Sequence, residues 1–384
     1  MRLRMLYIAF KMLIGDRVKF LGLVLGVAFS TLLIAQQASI FVGVLDLSAA
    51  IVRGNPMVDV WVMRDGVRTV SQPEQMPETW LNRVRGVEGV LWGMPLYRGA
   101  ATVRTRSGEL RMVEVMGVDD ATLIGAPEIM LLGPRDAMQR PDSVVLDIAT
   151  FSNLLPGEPV QLGDVLEINK QRVTVSGICK AAKSITGGDV MYAKRSLALR
   201  LAQEANNTVS FVLVKAMPGV QPRELAARIS AVSGLAAFDS AAFERRVIGW
   251  TIDNTGIVQV LGSVIALGIV VGVLVVGQTF YMFGVENQRY FAALKALGTT
   301  NGRLVMMVGF QASLVAFLGY GLGIGATTLI LIAGDTNTSP MRGMTLSGPV
   351  FVATAVFIPA MVLVTAWFGT RKVLYGEPAI VFRA

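Results

Sequence analysis

The sequence predicts an α-helical membrane protein with four transmembrane helices and an α+β domain inserted between the first and second of them. Three observations carry this prediction. Of 384 residues, 53% are hydrophobic and 16% are charged, well under the roughly 25% charge of a soluble domain. Four apolar stretches, 20–44, 256–283, 304–333 and 347–368, reach the ~20 residues that a helix needs to cross a bilayer. The long insert at 45–250 has ordinary polar composition and is large enough for a core of its own, read here as two lobes.

Residues 1–19 interleave Leu3, Leu6, Tyr7, Phe10, Leu13 and Ile14 with basic residues at helical spacing. That pattern reads as an amphipathic helix in the membrane interface, and an extension of the first span would share it. Asp16 is placed to cap the span at 20–44. A basic start before an apolar run also fits a cleavable signal peptide, but this run exceeds a usual h-region.

Within the insert, 58–63 (VDVWVM) and 208–215 (TVSFVLVK) have strand character. Segments 102–106 and 110–118 flank Ser107-Gly108, and 165–168 and 172–178 flank Asn169-Lys170; each is a hairpin signal. Helical patterns at 77–84, 194–204 and 222–233 interleave with them, and Pro222 suits a first helical turn. Strands mixed with short helices give an α+β domain. A helical pattern over 241–250 runs on towards the second transmembrane element, 251–283, as a stalk joining the domain rigidly to the membrane. After it come a charged segment (284–303), the third span (304–333), a loop (334–346), the fourth span (347–368) and a tail (369–384).

The formal net charge of +8 is a topology signal. Residues 44–254 hold 23 Lys/Arg and 23 Asp/Glu, so the remaining 12 basic and 4 acidic residues supply the whole excess. Arg2, Arg4, Lys11, Arg17 and Lys19 precede the first span; Arg289, Lys295 and Arg303 separate the second and third; Arg371, Lys372 and Arg383 follow the fourth. Only Arg342 is basic in the loop between the third and fourth. The positive-inside rule then places both termini and segment 284–303 in the cytoplasm, with the insert and the Arg342 loop outside. A basic excess confined to span flanks argues against nucleic-acid binding.

Chemistry of the common kinds is unsupported. No P-loop pattern occurs; residues 298–303 (GTTNGR) have the wrong spacing and lack its lysine. Histidine is absent and the one cysteine, Cys179, has no intrachain partner, which leaves no Cys/His metal cluster and no disulfide; no G-x-S-x-G elbow occurs either. Cys179 reads as a small buried apolar side chain, and Asp119-Asp120 as a solvated turn. Gly268 and Gly272, and Gly319 and Gly323 with Gly321 and Gly325, form G-x-x-x-G pairs in the second and third spans. Close helix approach of that kind serves packing within a chain or a dimer contact. Pro359 is expected to kink the fourth span, and Gln278 to make an interhelical hydrogen bond. Beyond Gln36 and Gln37 at the outer end of the first span, Gln278 and Gln311, the span interiors carry Ser, Thr and Gly. A conduit for a polar solute needs more than that.

Segment 287–311, NQRYFAALKALGTTNGRLVMMVGFQ, resembles the coupling region of the FtsX/MacB superfamily of ABC-transporter permeases, R-x-x-E-[IF]-A-x-L-[KR]-A-[LI]-G-A-[ST]. Residues 291–298 (FAALKALG) carry the match; the family's Arg and Glu fall on Asn287 and Tyr290, with Glu286 and Arg289 adjacent. The C-terminal RKVLYGEPAIVFRA (371–384) is similar to the family's R-x-[VA]-x-x-x-[ED]-P-x-x-x-[LF]-R. Residues 58–62 and 84–96 resemble the start of its outer domain, and one span, a large domain and three further spans is the family layout. Among subgroups the likeness is nearest to the DevC type, the permease of a three-component exporter.

The resemblance implies a homodimeric inner-membrane permease bound to a separate ATPase, which holds the ATP and Mg. Glu286, Arg289, Leu294, Lys295, Ala296, Leu297, Gly298 and Arg303 would form the ATPase-coupling site. Gly268, Gly272, Gly319 and Gly323 would serve helix packing or the dimer. The periplasmic domain would act by mechanotransmission on an adaptor and an outer-membrane channel in export. An FtsX-like regulator of a periplasmic enzyme is the alternative, and cargo leaves no residue pattern.

Overall fold

The computed structural model describes residues 2–181, 188–204, 207–336, 339 and 342–375. Positions 376–384 of the C-terminal motif lie outside that set. The described helices are, in chain order, α1 (Arg2–Gly15), α2 (Arg17–Arg53), α3 (Thr79–Arg85), α4 (Ile148–Leu154), α5 (Arg195–Ala202), α6 (Pro222–Ser233), α7 (Ser240–Asn254), α8 (Ile257–Glu286), α9 (Gln288–Ala296), α10 (Asn301–Gly334) and α11 (Gly348–Tyr375). The chain divides into two compact units: a membrane unit of Met1–Gly43, Gly256–Asp335 and Gly343–Ala384, and an outer domain of Val44–Thr255 and Thr336–Arg342.

In the membrane unit α2, α8, α10 and α11 are long and apolar enough to cross a bilayer. Helix α2 runs to Arg53, nine residues beyond the expected end of the span. At ~1.5 Å per residue it is about 55 Å long, well over the ~30 Å hydrocarbon core, so its last turns belong to the outer domain. The helices meet over Leu23, Val27, Val276, Phe280, Val315 and Val362. Glycine sets their spacing. A Cβ on Gly319 would stand 2.6 Å from Val27, and one on Gly323 2.5 Å from Thr31, both on α2. On α8, Gly268 faces Leu33 and Ile34, and Gly272 faces Ser30 and Met361. All four therefore pack within the chain, whereas Gly321 and Gly325 have nothing within 4 Å.

Buried threonine hydroxyls of the spans are satisfied locally. Thr31, Thr327, Thr354, Thr365 and Thr370 each donate to the carbonyl four residues earlier, which removes the cost of a bare hydroxyl in hydrocarbon. Gln278 departs from expectation. The packed stripe of α8 carries Gly268, Gly272, Val276 and Phe280, and a residue two places from a stripe points away from it. Gln278 is accordingly exposed, with no interhelical bond to a described residue. Pro359 lies inside α11, which continues on both sides of it.

The outer domain is α+β with two lobes, joined by one long strand. Its strands are β1 (Val60–Met63), β2 (Met76–Pro77), β3 (Val90–Arg104), β4 (Leu110–Val118), β5 (Met130–Leu132), β6 (Ser143–Asp147), β7 (Val165–Ile168), β8 (Gln171–Cys179), β9 (Asp189–Lys194), β10 (Thr208–Val209), β11 (Phe211–Ala216) and β12 (Ala236–Asp239). The first half of β3 pairs with β11, in a sheet of order β12-β1-β11-β3. Helices α3 and α6 cover one face through Leu81, Val84, Leu225 and Ile229. On the other face Trp61, Phe211 and Phe243 of α7 pack edge-on or tilted, with ring centroids 5.6 to 6.4 Å apart.

The second half of β3 pairs with β4, and pairings β4–β9, β9–β6, β6–β8, β8–β7 and β7–β3 close a six-stranded ring. Inward Val103, Val115, Leu146, Ile168, Val175 and Met191 fill it. Both hairpins form where the turn residues require them. Asn169 (φ 44°) and Lys170 (φ 67°) are both left-handed, as a two-residue primed turn demands. Gly108 has φ 87° in the other. The stalk is interrupted: α7 stops at Asn254 and Gly256, at φ 68°, breaks the backbone before α8. A single continuous helix is thus ruled out by one glycine in a conformation that other residues adopt at a cost.

Cys179 ends β8, fully buried. Burial pushes its thiol well above the ordinary range, which suppresses the reactive thiolate. A maleimide is expected to leave the folded protein unlabelled and to modify it in denaturant; rapid labelling of the native protein would contradict this burial.

Candidate functional site

The candidate site is the turn from α8 through α9 into α10. Asn287 ends α8: its backbone N–H and its Nδ2 both donate to Phe283 O, at 3.1 and 2.8 Å. Its own carbonyl accepts from Phe291 N at 3.0 Å and so opens α9. The residue at the family's arginine position is therefore the joint between two helices.

Helix α9 is amphipathic. Phe291 and Ala292 are buried and Leu294 packs on the same core, while Tyr290 is 64% and Leu297 82% exposed. The helix ends in a Schellman arrangement: Thr299 N donates to Leu294 O at 3.0 Å and Gly298 N to Lys295 O at 2.9 Å. Gly298 at φ 84° makes that possible. A Cβ there would meet nothing within 4 Å, so the glycine is required by backbone conformation and not by space. Thr300 is the N-cap residue of α10, and Arg303 N and Leu304 N both reach its carbonyl.

Helix α1 completes the site. Gln311 of α10, fully buried, donates its Nε2 to Ala9 O at 2.7 Å, and Ala9 and Leu13 join the span core. Between α1 and α9 lies a groove of about 650 Å³, walled by Ile8, Met12, Phe283, Tyr290, Leu294 and Leu297. At its rim Lys19 of α2 pairs with Glu286 of α8 and with Asp16 at 3.0 Å. Asp16 also accepts from Lys19 N at 3.2 Å, capping α2. Half-exposed pairs of this kind add little to stability; they orient the rim more than they stabilise it.

The turn brings together Glu286, Arg289, Leu294, Lys295, Ala296, Leu297, Gly298 and Arg303. Arg289 and Arg303 are exposed. Glu286 is committed to Lys19, a partner 267 positions away that sequence spacing does not disclose. The Gln311–Ala9 tie was equally hidden, its one signal being an amide in an apolar span. Gly268, Gly272, Gly319 and Gly323 lie apart from this turn, in the interfaces of the bundle.

A family model for the MacB-like periplasmic core domain matches residues 20–232, over half of the chain, and one for the FtsX-like permease C-terminal region matches residues 262–378. The chain belongs to the MacB/FtsX-like family of ABC-transporter permeases. The second match contains the α8–α10 turn. Two uncharacterised ABC transporter permeases of Mycobacterium tuberculosis are each 26% identical to it. One aligns over 332 residues, 85% of this chain and 84% of its own; the other over 306 residues, 79% and 77%. Among solved structures, the periplasmic region of MacB from Actinobacillus actinomycetemcomitans is 16% identical, covers 53% of this chain and 96% of its own, and has a TM-score of 0.37. The extracellular domain of the transporter YknZ from Gram-positive bacteria is 18% identical, with coverages of 47% and 98% and a TM-score of 0.33. The chain is thus the permease component of an ABC transporter and a multi-pass membrane protein.

Proposed function

We propose that this MacB/FtsX-like permease is driven by a separate ABC ATPase docking on the α8–α10 turn, and that its spans carry the resulting motion to the outer domain. The observation that supports this most is the apolar groove beside α9, with Leu297 and Tyr290 exposed at its edge and Arg289 and Arg303 nearby. An apolar patch rimmed by charge is what a protein partner covers. ATP and Mg belong to that partner. Both termini and the turn lie in the cytoplasm, and the permease resides in the inner membrane.

Transport is mechanical in this reading. The buried span hydroxyls are spent on their own helices, which suits rigid levers better than a polar conduit. The outer domain works on a periplasmic adaptor and an outer-membrane channel in DevC-like export. The permease acts as a homodimer, and the exposed Gln278 supports this, since an amide on a lipid-facing helix gains from a partner across an interface. Cross-linking of the Gln278→Cys variant in membranes is expected to give dimers, and monomers alone would remove Gln278 from the interface.

The coupling assignment is tested by reversing Lys295 and Arg303 together to Glu. Export and ATPase binding are expected to be lost while the protein stays inserted. Normal export by the double variant would sink the assignment.

A further inference from the structure

A cavity of about 260 Å³ opens on the outer domain, and every residue lining it belongs to Val44–Thr255. The last turn of α2 supplies Ile51, β4 supplies Met116, β9 supplies Tyr192, and residues 125–129 supply Ala126 and Ile129. Backbone groups hold these segments in place. Ala126 N donates to Leu123 O at 3.1 Å, and Arg135 Nη2 donates to Leu123 O and Ala126 O, both at 3.2 Å. Lys180 N donates to Ile129 O at 2.9 Å, so Glu128 and Lys180 enter the lining from paired segments at the end of β5 and β8.

The polar groups of this lining are unspent. Glu128 and Lys180 are exposed, and neither side chain forms an ion pair or hydrogen bond with a described residue. They flank one cavity without meeting across it. Asn55 donates its Nδ2 to Ile51 O at 2.9 Å, which leaves its Oδ1 as an acceptor without a donor among the described residues. Tyr192 is only 5% exposed, and its hydroxyl has no hydrogen-bond partner among them either. Buried hydroxyls are normally bonded, and burial pushes this one above its usual range, so it stays a neutral donor. One cavity thus offers a cation with a donor, an anion with an acceptor, and an apolar wall. An anion alone meets repulsion from Glu128, and a cation alone meets it from Lys180. The volume sits below the roughly 300–1,000 Å³ of drug-sized sites, which suits a ligand of few atoms.

We propose that this cavity binds a small zwitterion with an apolar side chain, the chemistry of a free α-amino acid. Lys180 and the Tyr192 hydroxyl take the carboxylate, and Glu128 with Asn55 Oδ1 takes the ammonium. The side chain packs on Ile51, Met116 and Ile129. The outer domain then carries a binding activity of its own, which needs no ATPase and is independent of the coupling reading.

Calorimetric titration of the full-length protein tests this, in nanodiscs of phosphatidylglycerol, which has no zwitterionic headgroup. The probes are L-leucine, L-methionine and L-phenylalanine. At least one is expected to bind saturably, with a Kd of about 1 mM or tighter. Its deamino and decarboxy analogues are expected to bind at least about tenfold more weakly, since each leaves one charge of the cavity unanswered. Glu128→Gln and Lys180→Gln remove exposed groups without partners and should leave thermal unfolding of the free protein unchanged, while each weakens binding by about tenfold or more. Glycerophosphoethanolamine, a zwitterion without an apolar side chain, is expected to bind more weakly than the amino acid; tighter binding would overturn the amino-acid assignment in favour of a lipid headgroup. The site is overturned outright if none of the three amino acids binds, or if both charge variants bind as the wild type does.

Discussion

Leu297→Asp is expected to weaken binding of the partner ATPase by about thirtyfold or more. Leu297, the C-cap residue of α9, is 82% exposed, and it edges the groove formed with α1. A central apolar anchor in a protein interface contributes about 2 kcal/mol or more on truncation, and each ~1.4 kcal/mol is tenfold in affinity. Aspartate adds two penalties, burial of a charge and an anion at the C-terminal end of a helix. The fold should be untouched, because the Schellman turn that follows depends on backbone groups and Gly298. Titration of the reconstituted permease with its ATPase measures the effect, and an unchanged affinity would mean that α9 does not bear the load.

Arg342→Met carries the second large effect. Arg342 and Asp147, each 5% exposed at the side chain, form a two-armed ion pair at 2.8 and 2.9 Å. The change strands Asp147, whose carboxylate is buried with only two backbone donors left, Ala149 N and Ala181 N. Removing one member of a buried pair costs about 3–5 kcal/mol, which for a domain of this size lowers its melting temperature by about 10 °C. Asp147→Leu combined with Arg342→Met is expected to recover part of the loss. Recovery stays incomplete, because Ala149 N and Ala181 N lose their acceptor, at about 1 kcal/mol each. Thermal unfolding of the three proteins in one detergent gives both numbers. A double variant less stable than Arg342→Met would contradict the stranded-charge account.

The sequence made the architecture legible wherever one local signal dominated. Twenty-residue apolar runs place α2, α8, α10 and α11, and Asn169-Lys170 and Ser107-Gly108 place two hairpins. Charge partition singled out α9 because charged residues between spans cannot lie in hydrocarbon. What stayed hidden depends on distant partners. Lys19 meets Glu286, Gln311 meets Ala9, and Arg342 meets Asp147 across 195 positions. Arg342 read only as a lone exception to a charge rule, although its burial explains why a positive residue is tolerated there. Gln278 shows the opposite error, in which residue type suggested a bond that helix phase denies. The stalk failed at one residue, since a helical pattern on each side of Gly256 does not disclose its backbone angle.

A separate ATPase is proposed to grip the α8–α10 turn. Photo-cross-linking from position 297, with the leucine replaced by p-benzoylphenylalanine in the full-length permease in native membranes, tests it most directly. One dominant adduct with a soluble ATP-binding protein is expected, reduced when Lys295 and Arg303 are reversed to Glu. An adduct with lipid alone, or with a protein that binds no nucleotide, would contradict it.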